Sequence, residues 1–117
     1  MCHVLIIEDE PLIAMAIEMA LEEVGATSFD IAESEQEAVS AARKRRPAVI
    51  TSDVKLKAGT GPLAVQAIRL ELGDTPVIFL TGSPDDCEPC DPPGIILTKP
   101  FNAASLTEAF RHSRKIS

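Results

Sequence analysis

Short apolar runs recur along this chain, and each stops abruptly on polar residues. Val4-Leu5-Ile6-Ile7 gives way to Glu8-Asp9-Glu10, Ala48-Val49-Ile50-Thr51-Ser52 to Asp53, and Pro76-Val77-Ile78-Phe79-Leu80 to Thr81-Gly82-Ser83. A run of this length and bounding is the pattern of a strand buried on both faces, polar only where it emerges at its carboxyl end. Strands buried on both faces need cover on two sides, which constrains the fold more than any other feature here. A shorter, weaker strand is expected over residues 27–32, centred on Phe29 and Ile31, and a fifth strand over residues 94–98.

Between the runs the apolar period changes to three and four residues. Leu12, Ile13, Ala16, Ile17, Ala20, Leu21 and Val24 predict a helix over 12–24. Pro11 opens it, the acid before Pro11 can cap its free N–H groups, and Gly25 stops it. A second helix is expected over 34–46, with Ser34 as cap, Glu37 three residues on, and Ala38, Val39, Ala41 and Ala42 as its apolar side. Its terminal Arg43-Lys44-Arg45-Arg46 suits the negative end of a helix dipole. A third covers 62–72, with Leu63, Val65, Ala67, Ile68 and Leu72 apolar, and a last one runs from an Asn102 cap through about Arg114. Residues 84–93 hold Pro84, Pro89, Pro92 and Pro93, which exclude a good helix. The expectation there is a mobile or non-helical segment, with the fourth of five helices degraded to a turn or two or absent.

Strands alternating with helices give a (βα)5 chain with right-handed crossovers covering both faces of a parallel sheet. The fold class is α/β: a flavodoxin-like, doubly wound, five-stranded parallel sheet in the order 2-1-3-4-5. A chain of 117 residues suits one domain, expected over 1–117 without an output domain. The net charge of -7 argues against a nucleic-acid phosphate surface. No apolar run reaches the roughly 18 to 20 residues that cross a membrane. No basic leader precedes the first strand, so a cytoplasmic location is expected. Cys2, Cys87 and Cys90 make an odd count, which suits a reducing compartment. Cys87-Glu88-Pro89-Cys90 lacks the second pair a zinc site needs.

In such a sheet Glu8, Asp9, Asp53, Thr81 and Lys99 all come to the carboxyl edge, where ligands and chemistry sit. Each has a plain structural reading. Asp53 can cap the next turn, Glu8 and Asp9 can cap the first helix, Thr81 can be a turn residue, and Lys99 a solvated strand end. Together they form a coherent kit. Three crowded carboxylates repel unless a cation joins them, and hard oxygen ligands suit Mg²⁺. A Lys supplies fixed positive charge, a Thr hydroxyl can donate to a phosphoryl oxygen, and an Asp can be the nucleophile that forms an aspartyl-phosphate.

The carrying motifs are Val4-Leu5-Ile6-Ile7-Glu8-Asp9-Glu10-Pro11, Ser52-Asp53-Val54-Lys55-Leu56 with Gly61, Pro76-Val77-Ile78-Phe79-Leu80-Thr81-Gly82, and Leu97-Thr98-Lys99-Pro100-Phe101. In this order they resemble the receiver domain of bacterial two-component response regulators over essentially the whole chain. The resemblance implies that Asp53 accepts a phosphoryl group from a histidine kinase or a histidine phosphotransfer protein. It implies that Asp9, Asp53 and the backbone carbonyl of Lys55 hold Mg²⁺, with Glu8 acting through bound water. It also implies that Thr81 and Lys99 bond the phosphate and that Lys99-Pro100 is a cis peptide. Signalling would pass to a downstream protein by contact, and the chain would be no enzyme beyond its own phosphorylation and dephosphorylation.

The chain departs from the family in two places. Receivers usually carry an aromatic residue two or three positions before the Lys, where Leu97 and Ile96 stand here. The connection after Thr81 is short and proline-rich, which alters the surface most used for partners. A binding module that keeps the fold without being switched by phosphate is therefore an alternative. A Mg²⁺-dependent phosphatase or flavin carrier is disfavoured: Lys55 stands where a second catalytic acid would, and aromatics make up only 3% of the chain.

Overall fold

The computed structural model describes residues 2–82 and 94–115. Five parallel strands form one sheet in the order β2-β1-β3-β4-β5. The strands are β1 (His3–Ile7), β2 (Ser28–Ala32), β3 (Val49–Asp53), β4 (Val77–Thr81) and β5 (Gly94–Thr98). The helices are α1 (Pro11–Glu22), α2 (Glu35–Lys44), α3 (Gly61–Leu72) and α4 (Ala103–Lys115). The α/β class, the parallel sheet and its order agree with the pattern of apolar runs. The expected degraded helix over 84–93, with Cys87 and Cys90, lies outside the described residues.

Alternation along the strands sorts side chains into two cores. Val4, Ile6, Ile78 and Leu80 face α1 and α4, where they meet Ala14, Ile17, Leu21, Leu106 and Phe110. Leu5, Ile7, Ile50, Val77 and Phe79 face α2 and α3, against Ala38, Ala42, Val65 and Ile68. β1, β3 and β4 are central and nearly all buried, whereas the edge strand β2 is mostly half-exposed. Its apolar run was weak for this reason. The buried His3 ties it in, with Nδ1 2.8 Å from Ser28 Oγ and Nε2 2.9 Å from Asp30 Oδ2.

Helix boundaries follow the local chemistry, with small corrections. Ser34 Oγ accepts from the Glu37 N–H at 3.1 Å, and Glu37 in turn accepts from the Glu33 N–H. α2 stops at Lys44 rather than 46, because Arg45 is already extended ahead of Arg46-Pro47. The expected acidic cap of α1 is absent: Glu10 occupies the N-cap position, but its side chain makes no capping bond. The Glu10 backbone carbonyl instead accepts from Ile13 and Ala14. Thr27 falls just outside β2 because its hydroxyl is engaged with the Cys2 backbone. Cys2 itself is buried in the α1 core, on the opposite face from His3.

Candidate functional site

Three strand ends and the turn into α1 meet at the carboxyl edge of the sheet. Glu8 and Asp9 follow β1, Asp53 ends β3, Thr81 ends β4, and Lys99 follows β5. The register aligns these ends: Asp53 pairs with Leu80, and Thr81 pairs with Thr98. The Lys99 N–H donates to the Thr81 carbonyl at 2.8 Å, which fixes the base of the lysine beside the end of β4. The peptide Lys99-Pro100 is cis.

Carboxylate oxygens of Glu8, Asp9 and Asp53 lie within 4.8 Å of one another. Lys99 Nζ lies 3.0 Å from Asp53 Oδ1, and the Val54 N–H donates to the same oxygen at 3.0 Å. Asp53 thus caps the following turn and faces a cation at once; the plain and the reactive readings coexist. Lys99 is 29% exposed and paired, so it is no solvated strand end. Thr81 is a buried strand residue rather than a turn residue. Asp53, Lys55, Thr81, Gly82 and Lys99 line a cleft of about 280 Å³.

Glu8 is the deepest member, 1% exposed. Its Oε2 accepts from the Glu10 N–H at 3.2 Å, and its Oε1 is buried with no hydrogen-bond partner. Burial first, and then the charge of Asp53, push its carboxyl up to about 7, against smaller opposing effects of the Glu10 N–H and Lys99. A buried oxygen without a donor, on a carboxylate clustered with two others, is an unsatisfied arrangement that a hard cation relieves. The donor set therefore fits Mg²⁺.

The loop from Val54 to Thr60 closes the site on a third side. Gly61 N donates to the Val54 carbonyl, Lys55 bridges Thr60, and Lys57 N donates to Asp9 Oδ2 at 2.7 Å. Gly61 must be glycine: a Cβ there would stand 1.8 Å from the Asp53 carbonyl oxygen and 2.2 Å from Ser52 Oγ. Sequence reasoning quoted Gly61 only as part of a motif and missed its contact with Asp53. It also missed the Asp9–Lys57 bond, since a backbone donor leaves no signature in residue types.

Of the two positions before Lys99, the structure puts Ile96 on the face of Thr81. Phe79 pairs with Ile96, and Thr81 lies two residues beyond Phe79 on the same side. Leu97 points the other way and packs against the α1 core.

Residues 4–111 match the model of the response regulator receiver domain. The phyllosphere-induced regulator PhyR of Methylorubrum extorquens is 36% identical over 108 residues, 90% of this chain and 40% of that protein. The chain thus spans less than half the length of that relative. The receiver domain of PhyR from Erythrobacter litoralis superposes with a TM-score of 0.85 at 32% identity, covering 96% of this chain and 88% of that one. The receiver domain of the sensor kinase PA1611 from Pseudomonas aeruginosa, solved with magnesium in its active-site cleft, gives a TM-score of 0.84 at 26% identity. Those two cover 97% of this chain and 98% of the other. With the sheet order, the acidic edge and the lysine facing Asp53, the match makes this chain a member of the response regulator receiver domain family.

Proposed function

We propose that the chain accepts a phosphoryl group on Asp53 and signals by protein contact. The observation that carries this reading is Lys99 Nζ on Asp53 Oδ1 with the Glu8 and Asp9 carboxylates alongside. A carboxylate that is partly buried beside a cation and backed by other acids is suited to in-line attack on a phosphorus whose charge is neutralised around it. Glu8, Asp9, Asp53 and the Lys55 carbonyl would hold Mg²⁺, which supplies charge neutralisation at the transferring group. Lys99 orients Asp53 and pairs with the added charge, and Thr81, which lines the same cleft, offers a hydroxyl. Transfer to Asp53 and its reversal by water would be the chain's own chemistry.

The donor would be a histidine kinase or a histidine phosphotransfer protein, and α1 offers it a surface. Leu12 is 80% exposed, Met15 54% and Met19 63%, so this helix is apolar on its outer face as well as its inner one. An exposed apolar stripe of this kind marks a contact surface. Leu12 and Ile13 also line an apolar groove with Pro100, Phe101 and Lys99, the last of which lines the cleft beside Asp53 as well.

A second reading is a receiver-like binding module not switched by phosphate, favoured by Ile96, an aliphatic residue on the face of Thr81. Incubation with Mg²⁺ and a small phosphodonor separates the two. An intact-mass gain of one phosphoryl group, abolished in Asp53→Asn, supports the first. No gain from small donors or from any kinase supports the second.

A further inference from the structure

The first turn of α2 holds two acids with different tasks. Glu37 completes the cap with Ser34. Glu35, relieved of that duty, turns toward the loop that follows Asp53. Its Oε2 accepts from the Thr60 N–H at 3.3 Å, and its own N–H donates to the Ala58 carbonyl at 3.3 Å. Gly59 lies flat against it: φ is +85°, and a Cβ there would stand 2.5 Å from Glu35 Oε2 and 2.8 Å from Glu35 Cβ. Only glycine takes that conformation readily and allows that approach.

The loop is therefore pinned twice. At Lys57 it is bonded to Asp9, within the acidic cluster, and at Ala58 and Thr60 it is bonded to Glu35, outside it. Between the strand end and these pins stands Lys55, which lines the cleft with Asp53 and Lys99. We propose that Glu35 is a positioning residue for the cation site, holding the 55–60 loop so that the Lys55 carbonyl faces the Glu8, Asp9 and Asp53 carboxylates. This rests on the reading of that cluster as a divalent-cation site. Glu35 touches no ligand; it acts through the loop backbone. Partners at this remove govern metal affinity by fixing where the donors stand.

Two opposite variants separate reach from charge. Glu35→Asp keeps the charge but is one methylene too short for the Thr60 N–H. Glu35→Gln keeps the reach and an acceptor oxygen but loses the charge. Calorimetric titration of the full chain with Mg²⁺ is expected to show affinity weakened about tenfold in Glu35→Asp and near wild type in Glu35→Gln. Amide exchange at Thr60 is expected to accelerate in Glu35→Asp alone, with the amides of the central strands unchanged. The reverse order of affinities would mean that the charge of Glu35 acts at long range, and would overturn the proposal. So would wild-type affinity in both variants while Asp53→Asn weakens binding, which leaves the cation site standing without Glu35. Absence of Mg²⁺ binding by the wild-type chain would overturn both the proposal and the site it rests on.

Discussion

Burial of Glu8 beside Asp53 raises its carboxyl from an ordinary 4.5 to about 7, and this has a definite sign for stability. Between those two values the folded protein holds a proton that the unfolded chain has released. Stability of the metal-free protein therefore falls as pH rises through that window, and the loss is complete above it. Glu8→Gln removes the ionisable group. Its thermal unfolding temperature without metal is expected to exceed the wild type's at pH 8 and to match it near pH 4.5; an equal difference at both values would contradict the assignment. Added Mg²⁺ is expected to stabilise the wild type more at pH 8 than at pH 6, and to stabilise Glu8→Gln less than the wild type at pH 8. Gly61 gives a second test at this scale. A methyl group 1.8 Å from the Asp53 carbonyl oxygen forces backbone apart, so Gly61→Ala is expected to destabilise the fold by about 2 kcal/mol or more in chemical denaturation. A change under about 0.5 kcal/mol would mean that the strand end and the start of α3 yield freely.

The elements divide into those whose role was legible in the chain and those that needed the assembled fold. β1, β3 and β4 were readable because both of their faces are buried, so most of their positions are apolar and the polar ones, His3, Thr51, Ser52 and Thr81 among them, fall mostly toward the strand ends. β5 was bounded correctly despite its partial exposure, since Gly94 and the following Lys99-Pro100 punctuate it. α1 read as an ordinary amphipathic helix, yet its outer residues are apolar too. Only the structure separates Leu12, Met15 and Met19 from Ala14, Ile17 and Leu21. This outer face predicts a kinetic split. Leu12→Glu is expected to slow transfer from a histidine-phosphorylated protein donor by roughly tenfold, the loss of a single apolar contact worth about 1.4 kcal/mol. The same variant is expected to react with a small phosphodonor at the wild-type rate. Equal slowing with both donors would place Leu12 in the chemistry rather than in docking.

At the scale of the whole molecule, the doubly wound order turns residues far apart in sequence into one site. Strand ends are legible from where apolar runs stop, which is why Glu8, Asp9, Asp53, Thr81 and Lys99 were found together from the chain alone. Residues that hold backbone rather than ligand were not. Glu35 looks like any first-turn acid, and Lys57 contributes only its N–H, so neither residue type announces the pinned loop. The face on which Ile96 or Leu97 lies was open until the register with Phe79 fixed it. Among the described residues no helix is long and apolar enough to cross a membrane, in keeping with a sheet covered by helices on both faces. The central claim is that this edge delivers a phosphoryl group to one carboxylate. An aspartyl-phosphate is an acyl phosphate, which borohydride reduces to the alcohol, so the acceptor can be marked in place. After phosphorylation in Mg²⁺, reduction and peptide mapping, residue 53 is expected to be recovered as homoserine, with Asp9 and Glu8 unchanged. Homoserine at another position, or none under conditions where a known receiver is labelled, would contradict the account.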